Sequence, residues 1–100
     1  MDKYSVRLMS CALRDLDGIY SYIAKTLLEP NTALKLVEQI EREICSLESM
    51  PYRWPKRMRG IYANRGYRQL LVGNYTVIYR VDEAAKQVIV VTVRYSPSEF

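Results

Sequence analysis

The chain has 100 residues, a net charge of +4 and no histidine. That length suits one domain with a single core. The absence of histidine removes the commonest metal ligand and the usual acid–base group near neutral pH. Cys11 and Cys45 lie far apart and form no CxxC pair, which argues against a zinc site and for two reduced thiols. Neither GxxxxGK[ST] nor GxGxxG occurs, so no phosphate-binding loop is expected. No metal and no cofactor are predicted. MDKYSVRLMS is too charged for a secretory leader, and no apolar run approaches the ~20 residues of a membrane span. The expectation is one cytoplasmic domain over residues 1–100, away from membranes.

In chain order, KYSVRLM (3–9) alternates and reads as a short strand. Ser10 suits an N-cap. Leu13, Leu16, Ile19, Tyr20, Ile23 and Leu27 recur at helical spacing over about 11–28. Pro30 then breaks the pattern, and Asn31 or Thr32 can cap the next helix. Over 32–49, Ala33, Val37, Ile40, Ile44 and Leu47 form a narrow apolar seam, and the short connection makes the two helices antiparallel neighbours. Pro51, Pro55 and Gly60 predict an irregular loop, with Trp54 pinning it to the body. GYRQLLV (66–72) meets Gly73-Asn74, a tight hairpin turn. In 75–82, Tyr75, Val77, Tyr79 and Val81 share one face. DEAAK is a second turn, and QVIVVTVRY (87–95) is apolar enough for a central strand. The N-terminal strand must join this sheet, since alone it would be unstable. The predicted class is α+β: a strand, an antiparallel helical hairpin and a three-stranded antiparallel meander.

The charge is uneven. Residues 49–81 hold seven Lys or Arg and no acid, whereas residues 1–48 carry eight acids and six bases. Such asymmetry favours a polyanionic partner, whether nucleic acid, an acidic protein segment or anionic lipid.

DLDGIYSYIA (15–24), LEPNTALKLVEQIEREICSLESMP (28–51) and GYRQLLVGNYTVIYRVDEAAKQVIVVTVRY (66–95) resemble the RelE/ParE superfamily, the toxins of bacterial type II toxin–antitoxin modules. The resemblance covers nearly the whole chain, and its fold agrees with the element order read above. It implies a cognate antitoxin as partner and one of two activities. The first reading is a ribosome-dependent, metal-independent endoribonuclease acting on messenger RNA. The alternative is a ParE-like inhibitor that binds DNA gyrase without catalysis. A third is a degenerate toxin that only binds its antitoxin and the operator complex.

Carried over by position, Arg68 matches a basic position of the cleaving branch on the second strand. Arg94 and Tyr95 match the strand end that leads to its catalytic tail. These three are the catalytic candidates, with Arg available to offset phosphate charge at any pH. Arg53, Lys56, Arg57, Arg59, Arg65 and Arg80 are candidates for RNA contact, positioning a backbone rather than reading bases. Arg80 is also placed to pair locally with Asp82 or Glu83. The chain departs from the cleaving pattern at two places. Thr76 occupies the usual arginine position of the third strand, and Ser96-Pro97 stand where some cleaving toxins place His-Tyr or a basic pair.

Overall fold

The computed structural model describes residues 3–97. The chain runs through β1 (Ser5–Leu8), α1 (Ser10–Ser21), a π-helical turn (Tyr22–Thr26) and α2 (Pro30–Cys45). Two 3-10 turns follow (Ser46–Glu48 and Pro51–Arg53), then β2 (Arg68–Val72), β3 (Tyr75–Asp82) and β4 (Gln87–Tyr95). The strands form one sheet in the order β1-β4-β3-β2. The last three make the antiparallel meander. β1 joins the sheet parallel to β4, with Val6 opposite Val88. β4 is therefore central, as its apolar run requires.

The helix starts differ from the sequence expectation. α1 begins at Ser10 itself, and Met9 is the N-cap in extended conformation. No side chain caps it; Met9 N–H donates to Val90 O, which ties the helix start to β4. α2 begins at Pro30, where a missing N–H costs nothing, and Glu29 is the N-cap instead of Asn31 or Thr32. The first helix also ends in a wider turn than its periodicity suggests. Leu27 N–H reaches Tyr22 O, and Glu29 N–H reaches Ile23 O while Leu28 turns left-handed at φ 58.

Both helices pack on one sheet face, but of the apolar set predicted for the first helix Leu13, Tyr20 and Leu27 are exposed, and Ala12 joins Leu16 in the core instead. Leu16, Ile40, Ile44 and Leu47 join Leu70, Val72, Val77, Tyr79, Val88, Val90 and Val93 in one cluster, with Tyr75 and Val81 packed at its margin. The face predicted for β3 is thus the core face. Val72 pairs with Tyr75 around Gly73-Asn74, and Gly73 takes φ 56, as the first position of a II′ turn demands.

One irregularity in β4 decides where its last residues point. Ile78 pairs with Thr92 but Tyr79 pairs with Val90, so Val91 is an extra residue in a β-bulge. Val88 and Val90 face the helices before the bulge. After it, Val93 and Tyr95 do so, opposite Val77 and Tyr75. Strict alternation would have turned Thr92 and Arg94 toward the helices. The bulge turns them to the second face, beside Ile78 and Thr76.

Candidate functional site

The basic segment is only partly irregular. Gln69 N–H donates to Pro55 O at 3.0 Å and Arg57 N–H to Tyr67 O at 2.8 Å, with Lys56 bridged to Arg68. The segment therefore covers part of the outer edge of β2, which would otherwise expose unpaired backbone. Residues 58–66 then turn outward, and Met58, Arg59, Ile61 and Arg65 are exposed. Arg53, also exposed, donates to Ser46 Oγ at 2.6 Å. Trp54 packs against the core cluster, as predicted, but its indole N–H is buried without an acceptor among the described residues.

Arg57 is the exception among these bases. It is buried on the second sheet face, where Nη1 donates to Gln69 Oε1 at 2.9 Å and Nε to Arg59 O at 3.1 Å. Burial, and then the nearby Arg59 charge, lower its pKa. A guanidinium starts so high that it stays protonated at neutral pH. Arg57 and Arg59 line a cleft of about 360 Å³ with Thr76, Asn74, Gln69 and Ser96. Across it Thr76 Oγ1 and Ser96 Oγ lie 2.7 Å apart in a hydrogen bond. These are the two positions where the sequence departs from the cleaving pattern. A neutral hydroxyl pair stands there.

The three catalytic candidates are not brought together. Arg68 lies opposite Tyr79, on the core side of the sheet. Its Nη1 donates to Trp54 O at 2.6 Å and Tyr52 O at 3.2 Å, and its guanidinium stacks 5.1 Å from the Tyr52 ring centre. Arg68 thus fastens the 3-10 turn to the sheet. Tyr95 is also on the core side and meets Tyr75 edge to face, with ring centres 5.5 Å apart. Arg94 is on the second face. Its Nε donates to Thr92 Oγ1 at 3.1 Å, and Thr92 Oγ1 donates to Asp15 Oδ2. The same Asp15 oxygen accepts Val93 N–H at 3.0 Å. This carboxylate serves β4 beyond Val90, where its pairing with β1 ends.

A groove of about 730 Å³ runs between α1 and the ends of β3 and β4. Gly18, Tyr22, Ile23, Leu27 and Tyr75 line it, with Arg94 and Asp15 at its polar side. The widened helical turn carries Tyr22 and Ile23 into this wall. A Cβ on Gly18 would meet nothing within 4 Å among the described residues, so their packing does not require a glycine here.

Arg80 is exposed on β3, and among the described residues it bonds neither Asp82, which accepts Ala85 N–H, nor Glu83. Glu83 instead accepts from Tyr4 Oη at 2.8 Å, Tyr52 Oη at 2.6 Å and Lys86 Nζ. Lys86, then Tyr52 and Tyr4, hold the Glu83 carboxyl down at about 2. Reciprocally, the bond to Glu83 pushes the Tyr52 phenol up to about 12. Burial pushes Tyr79 up to about 12, and its hydroxyl donates to Pro51 O at 2.5 Å. Burial, and then Tyr95, also raise Tyr75. Each of these phenols keeps its proton more firmly than a free tyrosine, the reverse of what a general base requires. Among the described residues no group of three or more His, Cys, Asp or Glu could hold a metal, and no helix is long and apolar enough to cross a membrane.

Sequence reasoning missed Asp15 and Thr92, and it named Glu83 only as a partner for Arg80. Asp15 had a faint signal, a carboxylate on the buried side of α1 between Ala12 and Leu16. Thr92 had none, because only the bulge sets its direction.

The family model for the ParE toxin of type II toxin–antitoxin systems, parDE, matches residues 6–97. The chain belongs to the ParE toxin family. It is thus a type II toxin of the RelE/ParE superfamily. Among solved structures, a chromosomal ParDE toxin–antitoxin system from P. aeruginosa superposes with a TM-score of 0.77 at 23% identity, covering 95% of this chain and 98% of that one. The RelBE2 toxin–antitoxin complex from Mycobacterium tuberculosis gives 0.64 at 26% identity, covering 95% and 93%. An arginine-to-alanine double mutant of E. coli toxin RelE in the free state gives 0.56 at 17% identity, covering 91% and 81%. No curated protein matches the chain. These likenesses agree with the α+β fold derived above.

Proposed function

We propose that this ParE-family toxin acts by binding, as an inhibitor of DNA gyrase, and that a cognate antitoxin neutralises it. The observation that carries this reading is the Thr76–Ser96 hydroxyl pair. It stands where the resemblance places the basic groups of the cleaving branch. Cleavage through a 2′-hydroxyl needs a proton acceptor and charge stabilisation at one phosphate. Here Arg68 is committed to loop carbonyls on the core side, while Arg94 lies on the other face. The basic loop is better suited to protein docking. Arg59 and Arg65 flank exposed Met58 and Ile61, a mixture of cationic and apolar contacts. Arg59, Arg80 and Arg94 would meet an acidic surface of the target. The two toxin–antitoxin complexes among the structural relatives support an antitoxin partner.

Messenger RNA cleavage on the ribosome is the second reading. It is favoured by the cleft in which Arg57 and Arg59 converge on one face with Thr76; Arg94 would then supply charge at the phosphate, with Arg68 and Tyr95 as the remaining catalytic candidates. Purified chain is added to gyrase and relaxed plasmid, and reporter messages are mapped by primer extension after induction without antitoxin. Blocked supercoiling with intact messages is expected. Discrete cuts within translated frames and normal supercoiling at excess toxin would replace binding by cleavage.

A further inference from the structure

We propose that Asp15 and Thr92 are positioning residues for Arg94, forming a carboxylate–hydroxyl–guanidinium relay that fixes the arginine for its target. The proposal rests on the reading above in one respect, that Arg94 engages an anionic group of that target.

The direction of the relay is set by which groups can donate. An ionised carboxylate only accepts, and a threonine hydroxyl has one proton to give. Thr92 Oγ1 gives that proton to Asp15 Oδ2. Its lone pairs are then what it can offer Arg94, whose Nε–H points at it from 3.1 Å. Asp15 therefore sets the polarity of Thr92, and Thr92 sets the orientation of Arg94. The anchor is firm at both ends. Oδ2 of Asp15 also accepts Val93 N–H from β4, and its neighbours Ala12 and Leu16 are buried. Thr92 is fully buried. An arginine side chain otherwise loses much rotamer freedom when it is immobilised at an interface. Holding Nε in advance removes part of that cost from binding.

A purely structural account of Asp15 would need only its bond to Val93, which closes the strand edge. Burial of Thr92 adds the need of its hydroxyl for an acceptor, which Asp15 also meets; neither need accounts for the guanidinium held on the acceptor side of that hydroxyl. The bulge at Val91 brings Thr92 and Arg94 to the same side of β4, so that both can take part.

The test uses the full chain with Thr92→Val, Thr92→Ser, Asp15→Asn and Arg94→Ala. Two quantities are read: colony survival after induction without antitoxin, and the ¹H–¹⁵N signal of Arg94 Nε in the purified protein. Valine keeps the shape of threonine and removes the hydroxyl. Its expected toxicity loss is roughly ten- to hundredfold, the scale of one hydrogen bond to a charged group. The Nε signal should move to the position of a solvated arginine. Serine should restore both. If Thr92→Val does not fold, Asp15→Asn against Thr92→Ser carries the test through the Nε signal. An unmoved signal in Asp15→Asn, or full toxicity of a Thr92→Val chain when Arg94→Ala is harmless, overturns the relay. Full toxicity of Arg94→Ala overturns the role of Arg94 itself, and a displaced Nε signal in Thr92→Val would then locate the failure in the functional reading rather than in the geometry.

Discussion

On the core face of the sheet, Leu70, Val77, Tyr79 and Val90 are fully buried under two helices, and the Tyr79 hydroxyl has a carbonyl partner. On the second face the same strands carry Gln69, Thr76, Arg80, Thr92 and Arg94, joined by Arg57 from the loop. Here polar groups are held through one another: Thr76 to Ser96, Arg57 to Gln69, Arg94 to Thr92 and on to Asp15. One face gains its stability from apolar area and close packing, which involves no titrating group. The other sets buried Ile78 and Ile89 among directed polar contacts, several of them made by cations. Arg68 and Arg94 make the lesson concrete. They are alike in charge and both half-buried on strands, yet one is tied to the loop carbonyls of the core side and the other to Thr92 on the second face, because they point to opposite sides.

Four substitutions would break or sharpen this contrast. The largest effect is expected at Ile40, fully buried in the core seam. Ile40→Ala should destabilise the chain by about 2–5 kcal/mol, read by chemical denaturation. Next comes Arg68→Ala. It leaves the Trp54 and Tyr52 carbonyls without their donor, so a loss of about 1–3 kcal/mol is expected. A loss of toxicity with undiminished stability would return Arg68 to the functional side.

The third concerns acid. Glu83 has its carboxyl held at about 2 in the folded chain against an ordinary 4.5. A depressed carboxylate pKa means that the unfolded chain binds the proton first. The contribution of Glu83 is therefore present above pH 4.5 and drains away as the pH falls toward 2. Glu83→Gln should lower the midpoint of thermal unfolding at pH 7 and flatten its fall across that window. An unchanged acid limb would mean that other carboxylates govern it. The exposure of Glu83 to solvent limits the size of this effect. Smallest of all is Arg80→Ala on the second face. Stability should stay within about 0.5 kcal/mol, while toxicity falls; if stability falls instead, the two faces do not divide folding from function so cleanly.

Much of this architecture is legible in the residues alone. Of the predicted seam, Ala33, Ile40, Ile44 and Leu47 are buried and Val37 is half-buried, and Val77 and Tyr79 take the core side. Tyr75 and Tyr67 act as strand or loop aromatic pairs, with Tyr95 and Tyr62. The helix starts are less readable. Ser10 can cap a helix, but the hydrogen bond from Met9 to Val90 fixes the chain one residue earlier. Within the site, the sequence located the basic segment and the neutral positions Thr76 and Ser96. It did not indicate that Arg57 is buried while Arg59 and Arg65 are exposed, since charge pattern carries no depth. Nor could it separate Arg68 from Arg94.

Sequence by itself determined the element order, the helical hairpin, the central apolar strand and the excess of positive charge in residues 49–81. All of these depend on local propensity and on hydrophobic period, which neighbouring residues write directly. Tertiary structure alone decided the parallel pairing of β1 with β4, the tying of Arg68 to the 3-10 turn and the joining of Asp15 to Thr92 and Arg94. Each depends on residues far apart in the chain. The last depends also on a bulge at Val91, because in a strand of period two a single added residue exchanges the faces of everything after it.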